Sequence, residues 1–170
     1  MEDPISEAAI TGAALVRHLQ DVRFATLRAL RQLLRALDAE RIAVGLLTAG
    51  AEHIREELVW VSGLGRCGES ERVISCASFG DELRTWLDSP DLGLSIGIDA
   101  GSPAWHELPC DQLLLVRRDR AAPDRPLPVL VAQLRGVMGL TDSAAHAISV
   151  LLKEYAARRD SATPAAPPAG

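Results

Sequence analysis

The chain has 170 residues, 48% of them apolar and 24% charged, with a net charge of −5 and a pI near 5.4. That length and apolar content bury one sizeable core without metals or disulfides, so a single domain is expected over residues 1–160. The acidic balance excludes a general electrostatic attraction to nucleic acid, and no apolar run approaches the ~20 residues needed to cross a bilayer.

The N-terminus, Met1-Glu2-Asp3-Pro4, is acidic where a secretory signal is basic and then apolar, which predicts a cytoplasmic protein. From Ser6 to about Glu40 an almost unbroken helical pattern follows. As one helix it would span roughly 50 Å, longer than the roughly 40 Å body of a domain this size. It therefore either breaks near Gly12 or overhangs toward a partner. Leu27, Leu30, Leu34 and Leu37 follow 3-4-3 spacing, with Leu33 widening the face, and are expected to be shared between the core and a homodimer interface. Arg28, Arg31 and Arg35 read as a solvated stripe beside them.

Arg41 to Thr48 reads as a buried strand and Leu58 to Ser62 as a second. The polar connection Ala51 to Glu57 is too short for a parallel crossover, so the pair is expected to be antiparallel. Gly63-Leu64-Gly65-Arg66-Cys67-Gly68 lacks both the third glycine of a dinucleotide fingerprint and the Gly-Lys-Ser/Thr of a P-loop, and reads as a flexible turn. Val73 to Cys76 is a short strand. Phe79, Leu83, Trp86 and Leu87 mark a short helix, stopped by Ser89-Pro90. Leu92 to Ile98 alternates apolar residues with glycine and serine, leaving one nearly bare strand face for a ligand, a packed helix or a second chain, the helix being preferred.

A loop with Pro103, Trp105, His106, Pro109 and Cys110 leads to the buried strand Gln112 to Arg117, and Asp119 to Pro128 is a hairpin or crossing loop. Periodicity does not separate strand from helix over residues 127–139. The last helix opens at Thr141 or Asp142, carries the stripe Ala144, Ile148, Leu151 and Tyr155, and ends with Arg158-Arg159 where its dipole favours cations. The Ala/Pro-rich composition of Ser161 to Gly170 predicts a disordered tail.

In element order the chain resembles the GAF-type sensor domain. Ile42 to Thr48 followed by Leu58 to Gly63 look like its first hairpin, and Thr141-Asp142-Ser143 resembles the start of its closing helix. The resemblance covers roughly residues 15–158. It implies an α+β fold with a central antiparallel sheet flanked by N- and C-terminal helices, and, since no output domain is read in the chain, a stand-alone regulatory or sensory module that binds a small ligand or a signalling protein is expected. No family residue that binds a cyclic nucleotide, bilin or haem carries over, so the cofactor is left open. The order is also similar to roadblock/longin-like scaffolds and to acidic secretion chaperones, and fold alone does not choose among them.

Trp60, Trp105, His106 and Cys110 are the candidate ligand-binding residues, the tryptophans supplying apolar area with a polar handle. Core packing is the competing reading for the tryptophans and for Cys110. The competing enzymatic reading uses Cys110 as nucleophile, with His106 four residues before it and Glu107 adjoining. Cys67, Cys76 and Cys110 are an odd number without CxxC spacing, which reads as reduced thiols. A metal site would need His106, Cys110 and His53 or Cys76 to converge, and none is expected. His18 and His146 fall on helices as polar-face residues. A helix-turn-helix reading of Val131 to Leu152 would present Asp142, Ser143, His146 and Ser149 to DNA, a face without arginine, so no nucleic-acid partner is expected.

Overall fold

The structure is a computed structural model and describes residues 3–48, 50–63, 67–99, 101, 108–118 and 126–162. The long N-terminal pattern is two helices, α1 (Pro4–His18) and α2 (Val22–Leu37), folded back on each other. The break falls at Leu19-Gln20-Asp21 rather than near Gly12. Asp21 takes an extended backbone and its Oδ1 accepts from the Phe24 N–H at 3.0 Å, which opens a new helix. Gly12 instead lets the two helices approach closely, since a Cβ there would stand 2.8 Å from that of Ala29. Helices of 15 and 16 residues are each about 23 Å long, so neither overhangs the body.

Asp38, left-handed at φ 51°, ends α2 and turns the chain into β1 (Ala39–Leu47), so Glu40 is strand rather than helix. The second strand, β2 (His53–Val61), starts five residues before the expected Leu58. Most of the polar connection is therefore strand. A bulge explains why alternation hid it: Val44 faces Leu58 and Gly45 faces Glu56, leaving Glu57 as the extra residue. A Cβ on Gly45 would lie 2.4 Å from the Arg55 carbonyl oxygen, so the close approach requires glycine.

A short strand, β3 (Cys67–Glu69), stands in the segment read as a turn, and Leu64 to Arg66 lie outside the described residues. After β4 (Val73–Ser75) comes a 3₁₀ turn, Cys76–Phe79, and then α3 (Glu82–Leu87). Gly80, at φ 63°, separates turn from helix and shortens the helix expected from Phe79. The remaining strands are β5 (Gly93–Gly97), β6 (Gln112–Arg117) and β7 (Leu127–Leu134). The open stretch is thus strand up to Leu134, which removes the helix-turn-helix reading. The last helix, α4 (Asp142–Ala162), buries Ala144, Ile148, Leu151 and Tyr155 as its stripe predicts. Ser161 and Ala162 end this helix, and the rest of the expected tail lies outside the described residues.

All pairings in the seven-stranded sheet are antiparallel, in the order β3-β2-β1-β7-β6-β5, with β4 also pairing on β2. One face carries α1, α2 and α4 over a core that includes Leu30, Leu33, Ile42, Val44, Leu114, Leu130 and Ile148. The other face is covered by the 3₁₀ turn, α3 and irregular segments over Ile54, Ile74, Phe79, Leu83, Trp86, Leu113 and Val131. Two clasps hold the helical layer. Arg158 donates to the carbonyls of Val16, Arg17, Leu19 and Gln20, satisfying the end of α1. The Gln112 amide both donates to and accepts from the Met138 backbone, fixing the connector into α4. Among the described residues no helix is long and apolar enough to cross a membrane.

Candidate functional site

Two of the four residues proposed as one ligand site, Trp60 and Cys110, are not brought together. Trp60 is half-buried against the helical layer, with the Arg31 guanidinium 5.6 Å from its ring. Cys110 lies on the opposite face, 3% exposed, in the core with Cys76 and Trp86. A sheet separates the two, so a shared Trp60–Cys110 pocket does not form. Trp105 and His106, like Glu107, lie outside the described residues. Burial, with the neighbouring Asp111 carboxylate, pushes the Cys110 thiol up to about 11, and burial alone does the same for Cys76. A buried neutral thiol is the reverse of an activated nucleophile. Cys67 is exposed, and all three cysteines are free.

Leu30, Leu34 and Leu37 are 1%, 6% and 3% exposed, their surface spent within the chain, and Leu27 is half-buried beside them. They are core residues, which leaves Leu27 alone of the four with side-chain surface to offer a second copy. The arginine stripe of α2 faces solvent as read. His18, His53 and His146 are exposed, and among the described residues no group of three His, Cys, Asp or Glu side chains can hold a metal ion.

What the fold does assemble is a polar cluster on the face of the sheet that also carries Ile54, Leu113 and Val131. Glu56, next to the bulge, is 1% exposed and shares that face with Ile54 two residues before it. Arg41 reaches it from β1 with two hydrogen bonds, Nη1 to Oε2 at 2.5 Å and Nη2 to Oε1 at 2.6 Å. Ser70, between β3 and β4, donates to Oε1 at 2.9 Å. The arrangement satisfies a carboxylate that burial would otherwise penalise by several kcal/mol. Opposite Arg41 on β7 stands Gln133, 5% exposed, whose Oε1 has no partner among the described residues. Trp86 Nε1, on the same side of the sheet, is likewise buried without one. Arg117 stacks 5.7 Å from the Trp86 ring and donates to the Ser89 and Asp91 carbonyls, tying the end of α3 to the sheet.

A groove of about 730 Å³ lies over the middle of β2 and the β3–β4 segment, between the start of α2 and the end of α4. At its floor Glu57 turns to the helical side, accepting from the Tyr155 hydroxyl at 2.8 Å and from Arg159 Nε and Nη2 at 2.7 Å each. Burial and the Glu57 carboxylate both hold the Tyr155 phenol above its ordinary range, and the same carboxylate raises Arg159. These are locked structural contacts that join α4 to the bulge.

Sequence reasoning missed Arg41, Glu56 and Gln133. The one signal for them was a charged pair, Glu56-Glu57, inside what proved to be a strand. An interior strand rarely carries adjacent acids unless each is paired on its own face.

No family model matches the chain, and no curated protein sequence matches it. Solved structures do. The phycocyanobilin-bound GAF domain of a cyanobacterial phytochrome superposes with a TM-score of 0.64 at 7% identity, over 92% of this chain and 94% of that one. The GAF domain of a phosphoenolpyruvate-protein phosphotransferase from Coxiella burnetii gives 0.62 at 13% identity, over 94% of each chain. Free methionine-R-sulfoxide reductase from Neisseria meningitidis, in complex with its substrate, gives 0.58 at 14%, over 92% and 91%. The protein therefore has a GAF-like α+β fold, as its element order suggested. The likeness establishes the fold; activity is argued from the chain's own residues.

Proposed function

We propose that this chain is a sensory or regulatory module that binds a small ligand on the α3 side of the sheet. The observation that carries the reading is the asymmetry of the two faces. Three helices close one face around an apolar core, while the other, covered by the 3₁₀ turn, α3 and irregular segments, carries Arg41, Glu56 and Gln133 beside its apolar side chains. An acceptor buried without a partner among the described residues costs about 1–3 kcal/mol unless something donates to it. A ligand N–H or O–H reaching Gln133 Oε1 removes that cost. The fold also supports the reading, because the solved GAF domains it resembles include ones with a bound bilin.

The enzymatic alternative loses support at Cys110, which is held neutral in the core. A homodimer belongs to the same proposal, and the large apolar side chains available to it on the helical layer are Ile10 and Phe24, 57% and 55% exposed. Cytoplasmic location completes the reading. Native mass spectrometry of the purified protein tests it. A retained small molecule is the expected result; protein free of any adduct, and unchanged in melting temperature across a metabolite panel, would remove the ligand-binding reading.

A further inference from the structure

β5 is one border of the sheet among the described residues, and its hydrogen-bond phase shows which of its backbone groups the sheet does not use. The Ile98 N–H donates to Asp111 O and the Arg117 N–H donates to Leu92 O, each at 3.0 Å. With Leu94 opposite Leu115 and Ile96 opposite Leu113, the even-numbered residues are the ones bonded to β6. Gly93, Ser95 and Gly97 therefore aim their N–H and C=O groups away from the sheet. Ser95 and Gly97 are exposed, and nothing lies within 4 Å of a Cβ placed on Gly97. Gly93–Gly97 holds no lysine, proline or bulge, the usual guards of an edge, and no described strand pairs with it on its outer side.

The same three residues have almost no side chains, which opens a recess of about 440 Å³ between β5 and the start of α4, reaching Leu114, Leu140 and His146. Acidic residues frame it. Asp91 stands just before the strand and Asp99 just after it, both exposed, and Asp142 lines the recess. We propose that the free β5 edge docks an extended peptide strand bearing lysine or arginine, with alternate side chains entering the recess. Backbone pairing supplies the attachment and the acidic rim the selectivity. A second copy fits less well. Antiparallel pairing centred on Ser95 would set Asp91 of each copy against Asp99 of the other, two like-charge contacts.

The test is amide hydrogen exchange by NMR on the full chain, with a short synthetic peptide of alternating lysine and valine and its glutamate–valine counterpart. The lysine peptide should slow exchange at Gly93, Ser95 and Gly97 by about tenfold or more at saturation, and the glutamate peptide should leave them unchanged. Asp91→Lys reverses an exposed charge and should weaken lysine-peptide binding by about tenfold. Ser95→Pro removes an N–H that β6 does not use and should abolish binding with native circular dichroism. Unchanged exchange with the lysine peptide, or equal slowing by both peptides, would overturn the proposal. So would protection of the three amides in the free protein that grows with concentration, since the occupant would then be a second copy. If Ser95→Pro does not fold, the Asp91→Lys affinity decides, and an unchanged value refutes the site.

Discussion

Replacing Arg41 by methionine keeps an unbranched apolar stem but removes the guanidinium that Glu56 holds with two hydrogen bonds. The Glu56 side chain has no exposed surface and Arg41 only 17%, so water cannot replace the lost partner without reorganising the sheet. Ser70 then remains as the one hydrogen bond to the carboxylate among the described contacts. Removing one member of a buried pair costs about 3–5 kcal/mol. An unfolding entropy of roughly 2.1 cal/mol/K per residue sums over this chain to about 0.36 kcal/mol/K, so a 4 kcal/mol loss lowers Tm by about 11 °C. The double variant Arg41→Met/Glu56→Leu removes both charges and should recover most of that loss, because an apolar pair of similar volume replaces an expensive ionic one. Urea unfolding followed by circular dichroism on both single variants and the double gives the coupling directly. A cost below about 1 kcal/mol for Arg41→Met, or a double variant as unstable as the two singles summed, would refute the buried-pair account.

Gly45→Ala forces a Cβ against backbone at the bulge, 2.4 Å from Arg55 O and 3.0 Å from Glu56 Cα, and should cost at least about 2 kcal/mol, read as a lower urea midpoint at unchanged slope. Arg158→Ala strips four carbonyls at the end of α1 of their donor and should cost about 1–2 kcal/mol, with faster amide exchange over residues 16–20; unchanged protection there would contradict the capping role. Burial that pushes the Cys76 and Cys110 thiols up to about 11 keeps them protonated near neutral pH, so an alkylating reagent should label Cys67 quickly and leave Cys76 and Cys110 untouched until denaturant is added. Rapid labelling of Cys110 in the native protein would reopen the enzymatic reading.

Where burial is one-sided or complete, residue pattern alone located the elements. The stripe of α4 and the fully apolar β6 are of this kind, since neither depends on what lies across from it. The break after His18 was hidden because α1 and α2 both carry apolar faces and the joint, Leu19-Gln20-Asp21, holds neither glycine nor proline. Only Asp21, as a cap for Phe24, marks it. β2 was truncated because its bulge puts Glu57 and Leu58 on the same face and breaks the period of two. The site suffered most from this. Whether Trp60 and Cys110 meet, or Arg41 meets Glu56, depends on strand order and register, and a stretch of sequence does not carry those until the bulge is placed.

The central claim is that the α3 side of the sheet holds a small molecule through Gln133. The direct measurement is native mass spectrometry of wild-type protein beside Gln133→Leu, an apolar change of similar size that removes the amide and with it the unpartnered Oε1, with Ile10→Ser as a control on the helical layer. The account predicts a retained small molecule on wild type and on Ile10→Ser, reduced about tenfold or more on Gln133→Leu. A molecule retained equally by all three would place the site elsewhere, and none on wild type would contradict the claim itself.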